Sequence, residues 1–185
     1  MLFSLIHKHL LNRKKLISIA RKTNVYYKCP IYNFSDTGKI IIGSNCTIGR
    51  SFKGYHGGMP FYTCILNDGV GSNIYIGNNT RINGAYIHSS ESINIGDNCV
   101  IASGVNILDS NGHITYSLDR TVGRDTPKPI IIGNNVWIGI NSIILKGTTI
   151  GNNSIISAGS VVKGVFPENS IISGNPAVLV KKMSI

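Results

Sequence analysis

Residues 130–162 read IIIGNNVWIGINSIILKGTTIGNNSIISAGSVV, with an isoleucine or a valine at every sixth position. An amphipathic helix would repeat its apolar residues every three or four positions, and a lone strand would alternate in twos over one short run. A period of six fits neither pattern and is typical of a solenoid of very short strands, in which each coil stacks on the one before. The repeating apolar residues, which we expect to point inward, are Ile132, Ile138, Ile144, Ile150, Ile156 and Val162.

A second inward position follows each of these residues by four places and holds mostly small side chains. Its members are Val136, Ser142, Thr148, Ser154, Ser160 and Phe166. Small residues at this position predict a narrow interior. Cys46 and Cys99 fall in the same position elsewhere in the chain, and none of the four cysteines has CxxC spacing. We interpret them as reduced packing residues, which is typical of a cytoplasmic protein.

The six-residue phase is interrupted at three places. The spacing between Ile48 and Ile76 is not a multiple of six, so a loop must leave the solenoid near residues 50–73, where glycines are frequent. A second, polar loop is predicted near residues 108–129, and a slip of one residue falls within residues 85–91. Loops that are held on a rigid scaffold are a common location for functional residues.

The N-terminal segment, residues 1–22, combines apolar residues with a basic cluster and predicts an amphipathic helix. Its apolar runs are too short to span a bilayer, and its charge follows the apolar stretch, unlike the charge of a signal peptide. The helix either packs on its own solenoid or a neighbouring subunit, or rests peripherally on an anionic membrane surface, and the sequence leaves these alternatives open. We therefore divide the chain into a helix with its lead-in, residues 1–38, and a solenoid domain, residues 39–185.

The net charge of +10 in 185 residues is high. Basic proteins often bind nucleic acid, but these lysines and arginines are not interleaved with aromatic residues, and no helix-turn-helix, zinc-finger or RNA-binding motif is present. We therefore expect no nucleic-acid partner. A polyanionic cofactor, an acidic sugar or an anionic membrane surface would account for the charge.

Three segments resemble the hexapeptide-repeat acyltransferases, especially the O-acetyltransferases of sugars and surface polysaccharides. They are NNVWIG at residues 134–139, ISAGSVV at 156–162 and GNPA at 174–177. The resemblance implies an all-β chain folded as a left-handed parallel β-helix of triangular section, with a short N-terminal helix and one or two loop excursions. It also implies a homotrimer with acetyl-CoA in a cleft between neighbouring subunits. The left hand comes from the resemblance alone, because parallel crossovers are generally right-handed.

His113 lies where the six-residue phase is lost after Ile107. An imidazole is well suited to take a proton from a hydroxyl or amine that attacks a thioester. The position also resembles that of the family's catalytic histidine, so we predict that His113 is the general base and not a solvated loop residue. Asp109 precedes it by four residues and either orients the His113 ring or caps the local turn; both alternatives remain open.

Trp137 resembles a family tryptophan that borders the acyl-CoA cleft. It belongs to an outward apolar row, which trimer formation would cover, with Ile131, Ile143, Ile155 and Val161. The backbone groups around Gly139, Ile140, Ala158 and Gly159 are then candidates to bind acyl-CoA. Lys163 and Lys181 either neutralise its phosphates or are ordinary surface residues, and both alternatives remain open. In this interpretation the Ile140 N–H holds the oxyanion of the tetrahedral intermediate.

The predicted acceptor-binding residues are Asn83, His88 and Glu91, of which Asn83 resembles an asparagine that contacts acceptor hydroxyls. His56 has no matching motif and is predicted to have no role. The resulting prediction is an acetyl-CoA-dependent acetyltransferase that acts on a hydroxyl of a sugar or bacterial surface polysaccharide. Transfer is direct, within a ternary complex, and no metal is expected because no His/Cys cluster has metal-ligand spacing.

Three other functions remain open at this stage. The acceptor could instead be the amine of an amino sugar, or serine or an antibiotic. A carbonic-anhydrase-like zinc enzyme on the same fold would need several histidines around the metal. A non-catalytic structural solenoid would need neither His113 nor the GNPA ending.

Overall fold

The computed structural model describes residues 2–12, 16–53 and 55–184. It begins with one helix, α1 (Leu2–Asn12), which is followed by 21 short strands. In chain order the strands are β1 (Ile17–Ile19), β2 (Asn24–Val25), β3 (Ile31–Asn33), β4 (Ile40–Ile42), β5 (Thr47–Ile48), β6 (Cys64–Asn67), β7 (Asn73–Ile76), β8 (Arg81–Ile82), β9 (Tyr86–Ser89), β10 (Ser92–Ile95), β11 (Val100–Ile101), β12 (Asn106–Leu108), β13 (Ile130–Ile132), β14 (Trp137–Ile138), β15 (Ile143–Leu145), β16 (Thr149–Ile150), β17 (Ile155–Ile156), β18 (Val161–Val162), β19 (Val165–Phe166), β20 (Ser170–Gly174) and β21 (Ala177–Lys182).

Every third strand joins the same sheet, so the chain winds around three sheet faces. The first sheet has the order β1-β4-β7-β10-β13-β16-β19, the second β2-β5-β8-β11-β14-β17-β20-β21, and the third β18-β15-β12-β9-β6-β3. Neighbouring strands are parallel, except that β21 turns back antiparallel on β20. The result is the solenoid of short strands that the six-residue repeat predicts, in the triangular form that the family resemblance implies.

The interior is a stack of isoleucines in register. Ile95 pairs with Ile132, and Ile101 pairs with Ile138, with each side chain at most 2% exposed. The second inward position is buried as well, since Ser142 is 0% exposed and its hydroxyl donates to the Ser157 carbonyl at 3.0 Å. The prediction of a narrow, closely packed interior is therefore confirmed.

Asparagines form the corners of successive coils. Asn135, Asn153 and Asn169 have φ angles of 55°, 58° and 57°, in the left-handed region that asparagine tolerates better than most residues. Their side chains also bond from coil to coil, at 3.1 Å between Asn135 and Asn153 and at 3.0 Å between Asn153 and Asn169. These ladders keep the coils in register at one edge of the solenoid.

The β-helix begins earlier than predicted. Ile17–Ile19 pairs in parallel with Ile40–Ile42 and alternates buried, exposed, buried, so it already belongs to the first coil. The boundary predicted at residue 39 therefore lies inside the solenoid. The helix ends at Asn12, before the predicted end at residue 22, and the basic residues 13–15 lie outside the described part.

The two loop excursions differ in how well their bounds were predicted. The second leaves after β12 and returns at Ile130, close to the predicted residues 108–129. The first covers residues 49–63 only, because Cys64–Asn67 returns to the third sheet and pairs with Ile31–Asn33. No helix among the described residues is long and apolar enough to cross a membrane.

Candidate active site

A cleft of about 930 Å³ opens between the second loop excursion and the third sheet. We call it the histidine cleft, and its polar lining includes Asp68, Tyr86, His88, Ser90, His113 and Arg124. His113 is exposed to solvent at its wall. Two imidazoles therefore share one cleft, as expected for His113 and for the predicted acceptor residue His88.

The loop that carries His113 is fixed to the solenoid by an ion pair. The Lys146 ammonium contacts the Asp125 carboxylate, and Lys146 Nζ also donates to the Thr126 carbonyl at 2.9 Å. Asp125 in turn accepts a hydrogen bond from the Asn111 N–H at 3.0 Å, two residues before His113. The Lys146 contact lowers the pKa of the Asp125 carboxyl. These contacts hold the start of the loop while the His113 ring stays accessible.

Asp109 is fully buried and faces the neighbouring coil. Its carboxylate accepts hydrogen bonds from the Ser89 hydroxyl at 2.9 Å, the Ser90 N–H at 2.7 Å and the Glu91 N–H at 2.9 Å. Both oxygens are occupied, and no bond from Asp109 to His113 occurs within the described residues. Of the two roles left open by the sequence, this geometry favours capping of a turn.

His88 is paired with Asp68. Its Nε2 lies 3.0 Å from Asp68 Oδ1, which suits an ion pair when the ring is protonated, although the two groups are not aligned as a hydrogen bond. Burial alone would raise the pKa of the Asp68 carboxyl, but the contacts of His88 and Ser90 outweigh it and lower that pKa. Asp68 was missed because β6, which brings it next to His88, lies inside the loop predicted at residues 50–73.

A second cleft, of about 820 Å³, lies on the second sheet and at its corner with the third. We call it the tryptophan cleft. Four predicted cofactor residues line it, namely Trp137, Gly139, Ile140 and Ala158. Trp137 is 53% exposed, so one face of its indole is available to a ligand. The tight packing behind it requires glycine, because a Cβ on Gly139 would lie 2.6 Å from the Ala158 nitrogen.

The wall of the tryptophan cleft offers two backbone donors. Two other N–H groups nearby are already used in bonds between coils: the Gly139 N–H donates to the Ile156 carbonyl, and the Gly159 N–H donates to the Ile140 carbonyl. The N–H groups of Ile140 and Ala158 have no hydrogen-bond partner within residues 2–12, 16–53 and 55–184. Both residues are exposed, which makes these N–H groups candidates to bind a carbonyl or an oxyanion.

Asn83 belongs to the same column of stacked residues as two members of this wall, although it does not itself line the cleft. Its N–H donates to Ile101, the Ala102 N–H donates to Ile138, and the Gly139 N–H donates to Ile156, so Asn83, Ala102 and Gly139 are stacked in one column. The Asn83 side-chain oxygen is buried and has no partner among the described residues. Asn83 is therefore a candidate to accept a hydrogen bond from a hydroxyl.

The remaining predicted residues lie outside both clefts. Glu91 is exposed and uses its N–H to cap Asp109. Lys163 is exposed beyond the end of β18 in the third sheet and does not line the tryptophan cleft. Lys181 pairs with Ile171 at the far edge of the second sheet, so it lies on the same face as Trp137. Gly159 follows Ala158 with open space around it.

The tryptophan cleft also has lining residues that the sequence did not reveal. Tyr55 and His56 come from the first loop excursion, and Arg81 comes from β8. The loop lies beside the corner, since a Cβ on Gly57 would be in ordinary van der Waals contact with Ile140 Cγ2, at 3.5 Å. The sequence predicts no role for His56, because no motif in the loop shows that it reaches this cleft.

The two clefts have no lining residue in common. On one chain, His113 and His88 belong to the first, whereas Trp137, Ile140 and Ala158 belong to the second. Among the residues that the structure describes, no group of three or more His, Cys, Asp or Glu side chains is placed to hold a metal ion. The four cysteines are free.

Comparison with known protein families gives two matches. Residues 129–164 match the model of the bacterial transferase hexapeptide, and residues 73–108 match that of the hexapeptide repeat of succinyl-transferase. Both matches fall on coils that line the two clefts.

The similar proteins include sugar O-acetyltransferases. The chain is 33% identical over 91% of its length to WbbJ of Escherichia coli, which is assigned as a lipopolysaccharide biosynthesis O-acetyl transferase, and it covers 87% of that protein. It is 41% identical over 62% of its length to the galactoside O-acetyltransferase of Escherichia coli, of which it spans only 56%. A solved galactoside acetyltransferase in complex with coenzyme A superimposes with a TM-score of 0.57 at 27% identity, covering 84% of this chain and 65% of the other. These matches confirm the predicted left-handed β-helix.

Proposed function

Because this chain belongs to the hexapeptide-repeat acetyltransferases related to the sugar O-acetyltransferases, we propose that it acetylates a hydroxyl of a sugar or bacterial surface polysaccharide. The acyl donor is acetyl-CoA. The similarity to WbbJ over nearly the whole chain supports a polysaccharide acceptor, and the net charge of +10 suits an acidic one.

The observation that carries the proposal is the pair of unpartnered N–H groups beside Trp137. The pantetheine arm of CoA is an extended chain with amide carbonyls, and it fits an open apolar wall that presents free donors. In this arrangement Ala158 binds an amide carbonyl of the arm, and Trp137 packs against it. Lys181 lies further along the same face, where it can neutralise a phosphate.

The chemistry assigned to His113 is general-base catalysis. Its imidazole takes the proton of the acceptor hydroxyl as that oxygen attacks the thioester carbon of acetyl-CoA. The new C–O bond gives a tetrahedral intermediate, whose oxyanion accepts a hydrogen bond from the Ile140 N–H. Collapse breaks the C–S bond, and the proton on His113 passes to the departing thiolate. In this scheme Asn83 and His88 bind hydroxyls of the acceptor.

A trimer would bring the two clefts together. His113 and Trp137 lie on different faces of one chain, so a single active site requires the histidine cleft of one subunit to face the tryptophan cleft of its neighbour. The structure corrects the single outward row predicted from the sequence, because its members lie on three faces: Ile131 on the first sheet, Ile155 on the second and Ile143 on the third. Ile131 is 47% exposed and the other two are partly exposed, so each face offers apolar surface for a subunit contact. Light scattering should therefore give the mass of a trimer, and a monodisperse monomer would contradict the arrangement.

The acceptor is tested by incubating the protein with acetyl-CoA and a panel of sugars, amino sugars and surface glycans, with mass spectrometry of the products. We expect one acetyl group on a glycan that mild alkali removes, because an ester is cleaved under conditions that leave an amide intact. An alkali-stable acetyl group would assign N-acetylation instead. Absence of any acetyl transfer across acidic and neutral glycans, serine and antibiotics would refute the proposed activity.

A further inference from the structure

The N-terminal end of the β-helix carries a continuous exposed apolar surface. We call it the apolar patch, and its members are Phe3, Ile6, Leu10, Tyr27, Tyr32 and Phe34. Phe3 is 71% exposed and Phe34 is 67% exposed, which is unusual for residues of this size at the end of a folded domain. The patch lies on coils that precede both clefts, so it does not belong to the candidate active site.

Helix α1 docks on the first coil through a face of mixed polarity. Lys8 donates from Nζ to the Ala20 carbonyl at 2.7 Å and to the Thr23 carbonyl at 3.0 Å, and burial lowers its pKa. Ser4 and Leu11 are buried beside it, and Leu11 joins the hydrophobic core. A helix that packs on a soluble domain normally keeps its lysines on the solvent side. Here Lys8 lies on the docked face, whereas other large apolar residues of the helix are exposed.

The outward side of the helix consists of Phe3, Ile6 and Leu10, spaced three and four residues apart. Such spacing places them on one face. Ile6 is 48% exposed and Leu10 is 54% exposed. Because the contacts of Lys8 fix the helix to the first coil, this apolar face is held in the open and cannot turn inward without breaking them.

Aromatic residues of the first coil extend the helix face. The Phe3 and Tyr27 rings lie 5.8 Å apart, and the Tyr32 and Phe34 rings are stacked at 5.7 Å. A shallow groove of about 380 Å³ joins the two pairs and is lined by both Tyr27 and Tyr32. The result is a single surface of aliphatic and aromatic side chains.

One described cation lies beside this surface, and a basic cluster is close to it in the sequence. Lys28 Nζ lies 5.8 Å from the centre of the Tyr27 ring, and Arg13, Lys14 and Lys15 follow the helix directly in the sequence. Aromatic residues mixed with lysine and arginine are typical of segments that lie at a membrane surface. Interfaces between protein subunits, in contrast, are depleted of lysine.

We propose that the apolar patch docks on the surface of a bilayer that contains anionic lipid. The outward face of α1 and the aromatic rings enter the headgroup region, and Lys28 contacts a lipid phosphate beside them. The basic cluster that follows in the sequence adds to the electrostatic attraction. The charge complementarity with the basic residues favours anionic lipid over a second copy of this basic chain. The enzyme would then lie peripherally on the membrane, with both clefts displaced along the β-helix from the lipid.

The test is sedimentation of the full chain with vesicles of phosphatidylglycerol and phosphatidylethanolamine, and with vesicles of phosphatidylcholine alone. We expect binding to the anionic vesicles that weakens with added salt. The double variant Phe3→Ser, Leu10→Ser should bind at least about tenfold more weakly. The triple variant Arg13→Gln, Lys14→Gln, Lys15→Gln should lose about a hundredfold, since each cation contributes about 1 kcal/mol at such a surface.

A matched control is the variant Val178→Ser, Val180→Ser, which changes exposed apolar residues at the opposite end of the β-helix and should bind vesicles like the wild type. All variants should keep their melting temperature and their activity on a soluble acceptor. Wild-type protein that ignores anionic vesicles would overturn the proposal. The oligomeric state of the Phe3→Ser, Leu10→Ser variant must also be measured. If it fails to bind vesicles only because its trimer has dissociated, the patch belongs to a contact with a second copy, and the proposal of membrane docking is overturned as well.

Discussion

Replacing His113 by asparagine should abolish most of the turnover and leave the fold and the binding of acetyl-CoA intact. His113 is exposed on the second loop excursion, and its side chain has no hydrogen bond to any described residue. Substitutions at such positions usually change the free energy of unfolding by no more than about 0.5 kcal/mol. Asparagine is close in size and polar, but it cannot accept a proton usefully near neutral pH.

The expected loss follows from the role assigned to the ring. Removing a general base lowers the rate by about 10² to 10⁴, which corresponds to about 2.7 to 5.4 kcal/mol in the barrier. The base acts on the acceptor hydroxyl, whereas the residues around Trp137 bind acetyl-CoA. The change should therefore appear in kcat, with little effect on KM for acetyl-CoA.

The assay is release of free CoA thiol on the true acceptor, with initial rates measured across a range of pH. The variant should stay slow across the whole range, because asparagine offers no basic nitrogen to accept the proton. His9→Asn is a matched control, since His9 is exposed on α1 and remote from both clefts. Near-normal kcat in the His113→Asn variant would refute the assignment and would direct attention to His88.

Trp137→Ala should raise KM for acetyl-CoA more than it lowers kcat, because a wall of the cleft stabilises ground and transition states alike. Initial rates on the intact oligomer test this, and an unchanged KM would remove Trp137 from the site. Lys146→Met should free the loop that carries His113 and lower kcat, with KM for acetyl-CoA unchanged. A kcat equal to that of the wild type would show that the ion pair does not position the base. The contact of Lys146 lowers the pKa of Asp125 in the folded state. Its stabilisation is therefore present above the ordinary carboxyl range and lost on acidification below about pH 4, so melting temperatures should converge for wild type and Lys146→Met at low pH.

The regular coils could be predicted because each one contacts only its neighbours. Ile132, Ile138 and Ile144 mark three successive faces of the solenoid by their spacing alone, and the structure buries all three. The outward direction of Trp137 follows from the same phase, since a residue adjacent to an inward isoleucine must face outward. Its assignment to a cofactor cleft, together with that of Ile140, came from the resemblance to the acyltransferases and not from the period.

The site residues that the sequence did not reveal are positioned by contacts that are not part of the six-residue repeat. Asp68 reaches His88 only because Cys64–Asn67 re-enters the third sheet after a loop, and the six-residue phase gives no count across that loop. His56 enters the tryptophan cleft through the packing of the same loop on Ile140. The inward direction of Lys8 depends on two carbonyl groups at the end of the first coil, which no pattern in the helix itself indicates.

The cytoplasmic location inferred from reduced cysteines stays a prediction. Burial raises the pKa of the Cys29 thiol to about 12, so this group is unreactive at neutral pH wherever the protein is found. Its freedom from disulfide bonding thus reflects packing as much as compartment.

The central claim is that one active site combines His113 of one subunit with the tryptophan cleft of the next. Two inactive variants test it, His113→Asn and Ala158→Phe, the second of which fills the exposed wall of the cleft. Each should be inactive alone. When the two are co-expressed and purified as mixed trimers, a random mixture should place an intact histidine opposite an intact cleft at about a quarter of the interfaces and recover activity accordingly. Mixed trimers as inactive as either parent would contradict a site shared between subunits.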